Sequence, residues 1–216
     1  MKRYYISVIF VFLFLFLIMY SYPVRADLPL QGKVIAIDSG HGGLDPGSLY
    51  NDIYEKDITL SIGKYLEKYL SEMGATVIMT RTSDSDLSNG VKNHRKKADF
   101  DERIKIINQN IVDMYVSIHL NYLTDTKYYG AQVFYNKGNE NLARDIQEYL
   151  NKNTNTDRNI KKIPPSTYMY GKLTTKGVLV ECGFLSNAME RSKLVTKGYQ
   201  SEFAKVLAEA ISHHYN

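Results

Sequence analysis

Two histidines and two glutamates in this chain stand where apolar segments give way to polar ones, and together they could hydrolyse a stable bond. His41 lies in VIAIDSGHGGLDPGS (34–48), between glycines that strip the neighbouring positions of side chains. His119 follows the apolar run DMYVSI, Glu181 interrupts GVLVECG, and Glu55 opens an amphipathic stretch. Two imidazoles and one carboxylate are a frequent ligand set for a catalytic zinc ion whose fourth position is left to water. A second carboxylate beside that water can take its proton and pass it to a leaving group. No two of these residues are spaced as neighbouring ligands on one helix, so the fold itself must gather them. Each also has a structural reading. His41 and His119 could be hydrogen-bonded interior histidines, His41 a turn residue, and Glu55 an acid favoured by a helix N-terminus. Glu181 resists such a reading, because a carboxylate inside an apolar strand is costly to bury without a partner.

The elements that must position these residues alternate along the chain. KVIAID (33–38) reads as a buried strand. From 56 to 73, Ile58, Ile62, Tyr65, Leu66, Tyr69 and Met73 fall on one helical face, and Gly74 ends the helix. ATVIMTR (75–81) is the next strand, a polar stretch follows, and a charged helix is expected over 96–110. Strands are expected at DMYVSIHL (113–120), GAQVFYN (130–136) and GVLVECG (177–183), with helices over 139–151 and 199–214. This alternation predicts a single α/β domain, a mostly parallel twisted sheet of about six strands with helices on both faces. Sites in such sheets form beyond the carboxyl ends of the strands. His41, His119 and Glu181 fall at those ends, and the helix opened by Glu55 leaves from the same edge.

Residues 1–26 read differently. A basic start, Met1-Lys2-Arg3, precedes the apolar run ISVIFVFLFLFLIMY (6–20), and Val24 and Ala26 stand three and one positions before Asp27. That layout predicts a secretory signal peptide cleaved after Ala26, or an uncleaved membrane anchor over about residues 4–22. On either reading residues 27–216 are exported. The chain has 27 Lys and Arg against 23 Asp and Glu, but Lys2, Arg3 and Arg25 fall in the N-terminal segment, leaving 24 against 23. So balanced a surface excludes nucleic acid as a partner. The single cysteine, Cys182, cannot close an internal disulfide, so the domain must be held by its core.

DSGHGGLDPGS, EKD opening a helix, ATVIMTR, SIHLN and VLVECGFLSN occur in this order. Together they resemble the zinc-dependent N-acetylmuramoyl-L-alanine amidases of bacterial cell walls, over about 33–213. The resemblance implies one zinc ion per chain, with His41, Glu55 and His119 as ligands and Glu181 as catalytic acid and base. It implies cleavage of the amide joining the lactyl group of N-acetylmuramic acid to L-alanine of the stem peptide. HLN and the charged segment NHRKKADFDERIKIIN (93–108) further resemble the germination-specific branch, which modifies spore-cortex peptidoglycan during muramic-lactam formation. Peptidoglycan is then the substrate, in the cell wall or between the forespore membranes, and an activating protein or lipoprotein is a conceivable partner. Ser39 stands where the family more often has Pro, and Lys176-Gly177 precede the last strand where Pro is common; neither position supplies a ligand.

The remaining polar residues keep two readings each. Asn121 either orients a ligand or contacts substrate, or else stabilises a turn, and Arg81 either binds a peptide carboxylate or makes a surface ion pair. Asp45 is expected to brace its loop through an Asx-type turn, and HRKK (94–97) to be a solvated helix start. Cys182 is expected to point away from Glu181 into the core. Two rival functions stand beside the amidase: a zinc peptidase cutting within the stem peptide, and a catalytically silent wall-binding module.

Overall fold

Three segments carry apolar residues at nearly every position, and such strands are stable only where neither face meets water. They are β1 (Val34–Ser39), β5 (Met114–Asn121) and β8 (Gly177–Phe184), side by side at the centre of a six-stranded sheet. The structure, a computed structural model, describes residues 28–109 and 111–215. The segment read as a signal peptide or anchor lies outside these residues. No helix among the described residues is long and apolar enough to cross a membrane.

The other elements in chain order are β2 (Leu49–Tyr50), β3 (Ile53–Tyr54), α1 (Glu55–Glu72), β4 (Thr76–Met79), α2 (Arg95–Ile107), β6 (Gln132–Tyr135), α3 (Glu140–Thr154), β7 (Lys161–Lys162), α4 (Ala188–Leu194) and α5 (Lys197–Tyr215). Across the sheet the strand order is β4-β1-β5-β8-β6-β7. The first four are mutually parallel, β6 runs antiparallel to β8, and β7 is parallel to β6. From β1 the chain first adds β4 on one side and later β5 on the other. The order therefore reverses beside β1, where a cleft opens at the carboxyl ends of the strands.

One face of the sheet, with Ile35, Ile37, Val116, Ile118, Val180 and Cys182, packs against α1, α3 and α5. Alternate residues on the same strands, Ala36, Tyr115 and Leu179, face Ile107 of α2 and the segment containing Ile163, Met169, Tyr170 and Leu173. Cys182 is fully buried on the face opposite its neighbours, as strand alternation requires. The expected α/β architecture is the observed one. The short strands β2, β3 and β7 and the short helix α4 have no counterpart in the sequence reading. Two-residue strands show no periodicity, and α4 is defined by its cap, Asn187, whose side chain accepts from the Glu190 N–H. β4 ends at Met79, because Thr80 and Arg81 are drawn into the polar interior described next.

Candidate metal centre

His41 sits just beyond β1 in a left-handed backbone conformation, φ 63°, which side chains other than glycine seldom adopt. Two buried guanidinium groups hold it there. Arg81 donates through Nε to the Ser39 carbonyl (2.9 Å) and through Nη2 to the Gly40 carbonyl (2.9 Å). From α2, Arg103 donates through Nη1 to the Ser39 carbonyl (2.8 Å) and through Nη2 to the His41 carbonyl (2.6 Å). Arg103 is itself fixed by Asp38 (2.7 Å) and Asp99 (2.9 Å). Asp38 also accepts from Thr80 and Ser117. Burial opposes a charge on Asp38, yet Arg103 and the Ser117 hydroxyl hold its carboxyl below the ordinary range. Close approach then dictates two glycines. A Cβ at Gly40 would collide with the His119 ring, and one at Gly47 with the His41 ring and the Glu55 carboxylate.

This framework turns His41 toward Glu55, the first residue of α1. His41 Nε2 and His119 Nδ1 each lie 3.1 Å from Glu55 Oε1. The two imidazole rings meet edge to face, 4.9 Å between centroids. Glu55 is fixed by backbone donors as well: Leu120 N–H to Oε1 (2.9 Å) and Ser48 N–H to Oε2 (2.7 Å). Burial opposes its charge, but the hydrogen bonds of His119 and His41 win, and the carboxyl is held well below its usual range. One donor atom from each of His41, Glu55 and His119 lies within 4.8 Å of the others. Two imidazole nitrogens and a carboxylate oxygen so gathered are a donor set that would fit a divalent metal of the zinc type.

Asp45 does two things. Its Oδ1 accepts from Gly47 N–H (3.3 Å), the expected turn, while Oδ2 lies 3.0 Å from His41 Nδ1. The second contact fixes the ring and leaves Nε2 facing the centre, an arrangement typical of metal-ligating histidines. Burial disfavours a charge on His41, but hydrogen bonds and charges from Asp45 and Glu55 outweigh it and raise the ring to about 9.

Glu181 reaches the same place from β8. It is the register partner of His119 on β5, so both side chains leave the same face of the sheet. Burial raises its carboxyl to about 7, and its buried Oε2 has no hydrogen-bond partner. A carboxyl poised near neutrality, with one oxygen unengaged, can both take and give a proton. It lines a cavity of 430 Å³ with His41, Glu55, His119, Asn121 and Lys96.

The sequence-predicted residues thus fare differently. His41, Glu55, His119 and Glu181 come together, and Asn121 lines their cavity. Arg81 does not reach it. It is 3% exposed, and besides Ser39 and Gly40 it donates to the carbonyls of Lys56 (2.7 Å) and Ser83 (3.0 Å). Both expected roles, carboxylate binding and a surface ion pair, give way to support of the His41 segment. Arg103, Asp99 and Lys96 were not assigned to the site because they belong to a charged run, HRKK among it, that reads as a solvated face. The Asp99–Arg103 spacing of four residues was the only local hint.

A family model described as N-acetylmuramoyl-L-alanine amidase matches residues 35–213. A germination-specific N-acetylmuramoyl-L-alanine amidase of Bacillus subtilis is 42% identical over 195 residues, covering 87% of this chain and 82% of that protein. Among solved structures, the CwlD amidase of Clostridioides difficile, in complex with the GerS lipoprotein, has a TM-score of 0.78 at 36% identity. The match covers 85% of this chain and 98% of that one. The catalytic domain of CwlV, an N-acetylmuramoyl-L-alanine amidase of Paenibacillus polymyxa, has a TM-score of 0.72 at 27% identity, covering 84% and 97%. The matched residues run from β1 into the last turn of α5 and take in every side chain of the centre: this chain belongs to the N-acetylmuramoyl-L-alanine amidase family.

Proposed function

We propose that this amidase is zinc-dependent, with His41, Glu55 and His119 as the ligands and Glu181 as the group that moves the proton. The observation carrying this reading is the unpartnered Oε2 of Glu181, buried beside the three-residue cluster. Zinc bound there supplies Lewis acidity, which acidifies a water and polarises the lactyl carbonyl. Glu181 takes the proton of the attacking water. An amide does not expel an unprotonated amine, so the same carboxyl then gives that proton to the alanine nitrogen. The bond between the lactyl carbonyl carbon and that nitrogen breaks. The glycan keeps a lactyl carboxylate and the peptide leaves with a free amino terminus. Mass analysis of digested peptidoglycan tests this: released peptides are expected to begin with L-alanine, whereas cuts inside the stem would identify a peptidase.

Zinc binding is expected to depend on pH. Below about 9 the His41 ring carries a proton that the metal must displace, so apparent affinity falls as pH falls, about tenfold per unit for one proton. Competition titrations against a chelator of known proton affinity check this; an affinity flat between about pH 6 and 9 contradicts it.

We further propose that residues 1–26 direct export of a catalytic domain spanning 27–216, and that the substrate is spore-cortex peptidoglycan. Identity to the germination-specific relative supports the cortex. The complex formed by the Clostridioides difficile relative supports a lipoprotein partner here.

A further inference from the structure

We propose that Lys96 recognises a carboxylate of the stem peptide, making the site selective for peptides whose second residue is anionic. This rests on the amidase reading above and names a determinant of its substrate. Among the described residues the cavity carries three acids, Asp45, Glu55 and Glu181, and Lys96 is the only Lys or Arg that lines it. Arg81, the cation the sequence offered for this task, is consumed by backbone carbonyls.

Lys96 stands in the first turn of α2 between two other bases. Arg95 is paired with Asp86, and Lys97 with Asp101 at 2.6 Å. Lys96 is 59% exposed, and its Nζ lies 3.5 Å from Asp45 Oδ2. That oxygen already serves His41 at 3.0 Å, and a contact of 3.5 Å is a poor hydrogen bond. The helix adds to the positive field. Its first turn holds no acid, and its N-cap, His94, makes no side-chain cap, so α2 presents its partial positive charge uncompensated by its own residues. A cation held at that pole, against the helix dipole, is placed to meet an anion from outside.

Dimensions agree. Consecutive Cα atoms are 3.8 Å apart, so a carboxylate on the second stem residue lies about 7–8 Å from the scissile carbon in an extended peptide. One side chain, Asp45, separates the Lys96 ammonium from the His41 ring, and the lysine stem is flexible enough to close the remaining gap. In a stem peptide linked through the side chain of its second residue, the α-carboxylate of that residue stays free and occupies this position.

The test uses two synthetic muropeptides, N-acetylmuramoyl-L-alanyl-γ-D-glutamyl-L-lysine and the same tripeptide with D-isoglutamine at its second position. Both are linked through that residue's side chain, so they differ by one charge, its α-carboxylate being free in one and amidated in the other. For the zinc-loaded protein, kcat/KM is expected to favour the carboxylate about tenfold, mainly through KM, equivalent to about 1.4 kcal/mol. Lys96→Met is expected to bring the ratio close to one, and Lys96→Glu to invert it. A wild-type ratio near one overturns the proposal. So does a Lys96→Met protein that keeps the wild-type ratio, including one in which both substrates slow in parallel, because a merely structural lysine acts on both alike. Cleavage of neither muropeptide by the wild-type protein overturns the amidase reading and this inference with it.

Discussion

Glu181→Gln is expected to leave zinc bound and to lower turnover by about three to four orders of magnitude, the upper end for a lost general acid and base. The side chain is nearly isosteric, and Glu181 is outside the proposed ligand set of His41, Glu55 and His119, so metal content measured on the purified variant should equal that of the wild type. Retained peptide release at full metal content would falsify the role assigned to it. The same substitution should register in stability. In the metal-free protein, burial raises the Glu181 carboxyl from 4.5 to about 7. A raised acid is penalised once it ionises. The fold is therefore favoured below about pH 4.5 and loses stability as pH rises through about 7, by up to about 3 kcal/mol. Glutamine does not ionise, so with chelator present the variant should melt higher than the wild type above pH 7 and show no such decline from this position.

Replacing Glu55 should do the opposite. Glu55→Ala is expected to weaken zinc binding by more than about a hundredfold, exceeding what loss of a mere orienting partner costs, and to abolish activity with it. It also removes the acceptor of the Ser48 and Leu120 N–H groups. Leaving these donors unpaired costs about 1–3 kcal/mol each where water cannot replace the carboxylate. Calorimetry with chelator present should therefore show a lower melting temperature than for the metal-free wild type. A variant that still holds one zinc ion per chain at wild-type affinity excludes Glu55 from the ligand set.

These two substitutions touch residues whose placement was readable before any coordinates. Apolar runs located β1, β5 and β8, and strand-end placement put His41, His119 and Glu181 on one rim. The start of the amphipathic stretch identified Glu55. What escaped was the identity of partners across the chain. The contact of Asp45 with His41 depends on how a glycine-rich loop closes, and its outcome is set by left-handed residues that no periodicity reports. Arg81 and Arg103 are buried cations, rare enough that a surface reading is the default for any arginine in a polar run. Hydrophobic patterning says which positions avoid water; it is silent on which charge enters the interior to meet which carbonyl.

The bracket of Arg81 and Arg103 around the carbonyls of 39–41 has a consequence for transplanting this site. The loop GHGGLDPGS carries His41 but not the forces that keep it in its unusual backbone conformation, since one guanidinium arrives from the end of β4 and the other from α2. Grafted onto another scaffold, the peptide would relax and its imidazole would wander. In an unrelated chain the same string would need other interior donors for these carbonyls to hold the same shape.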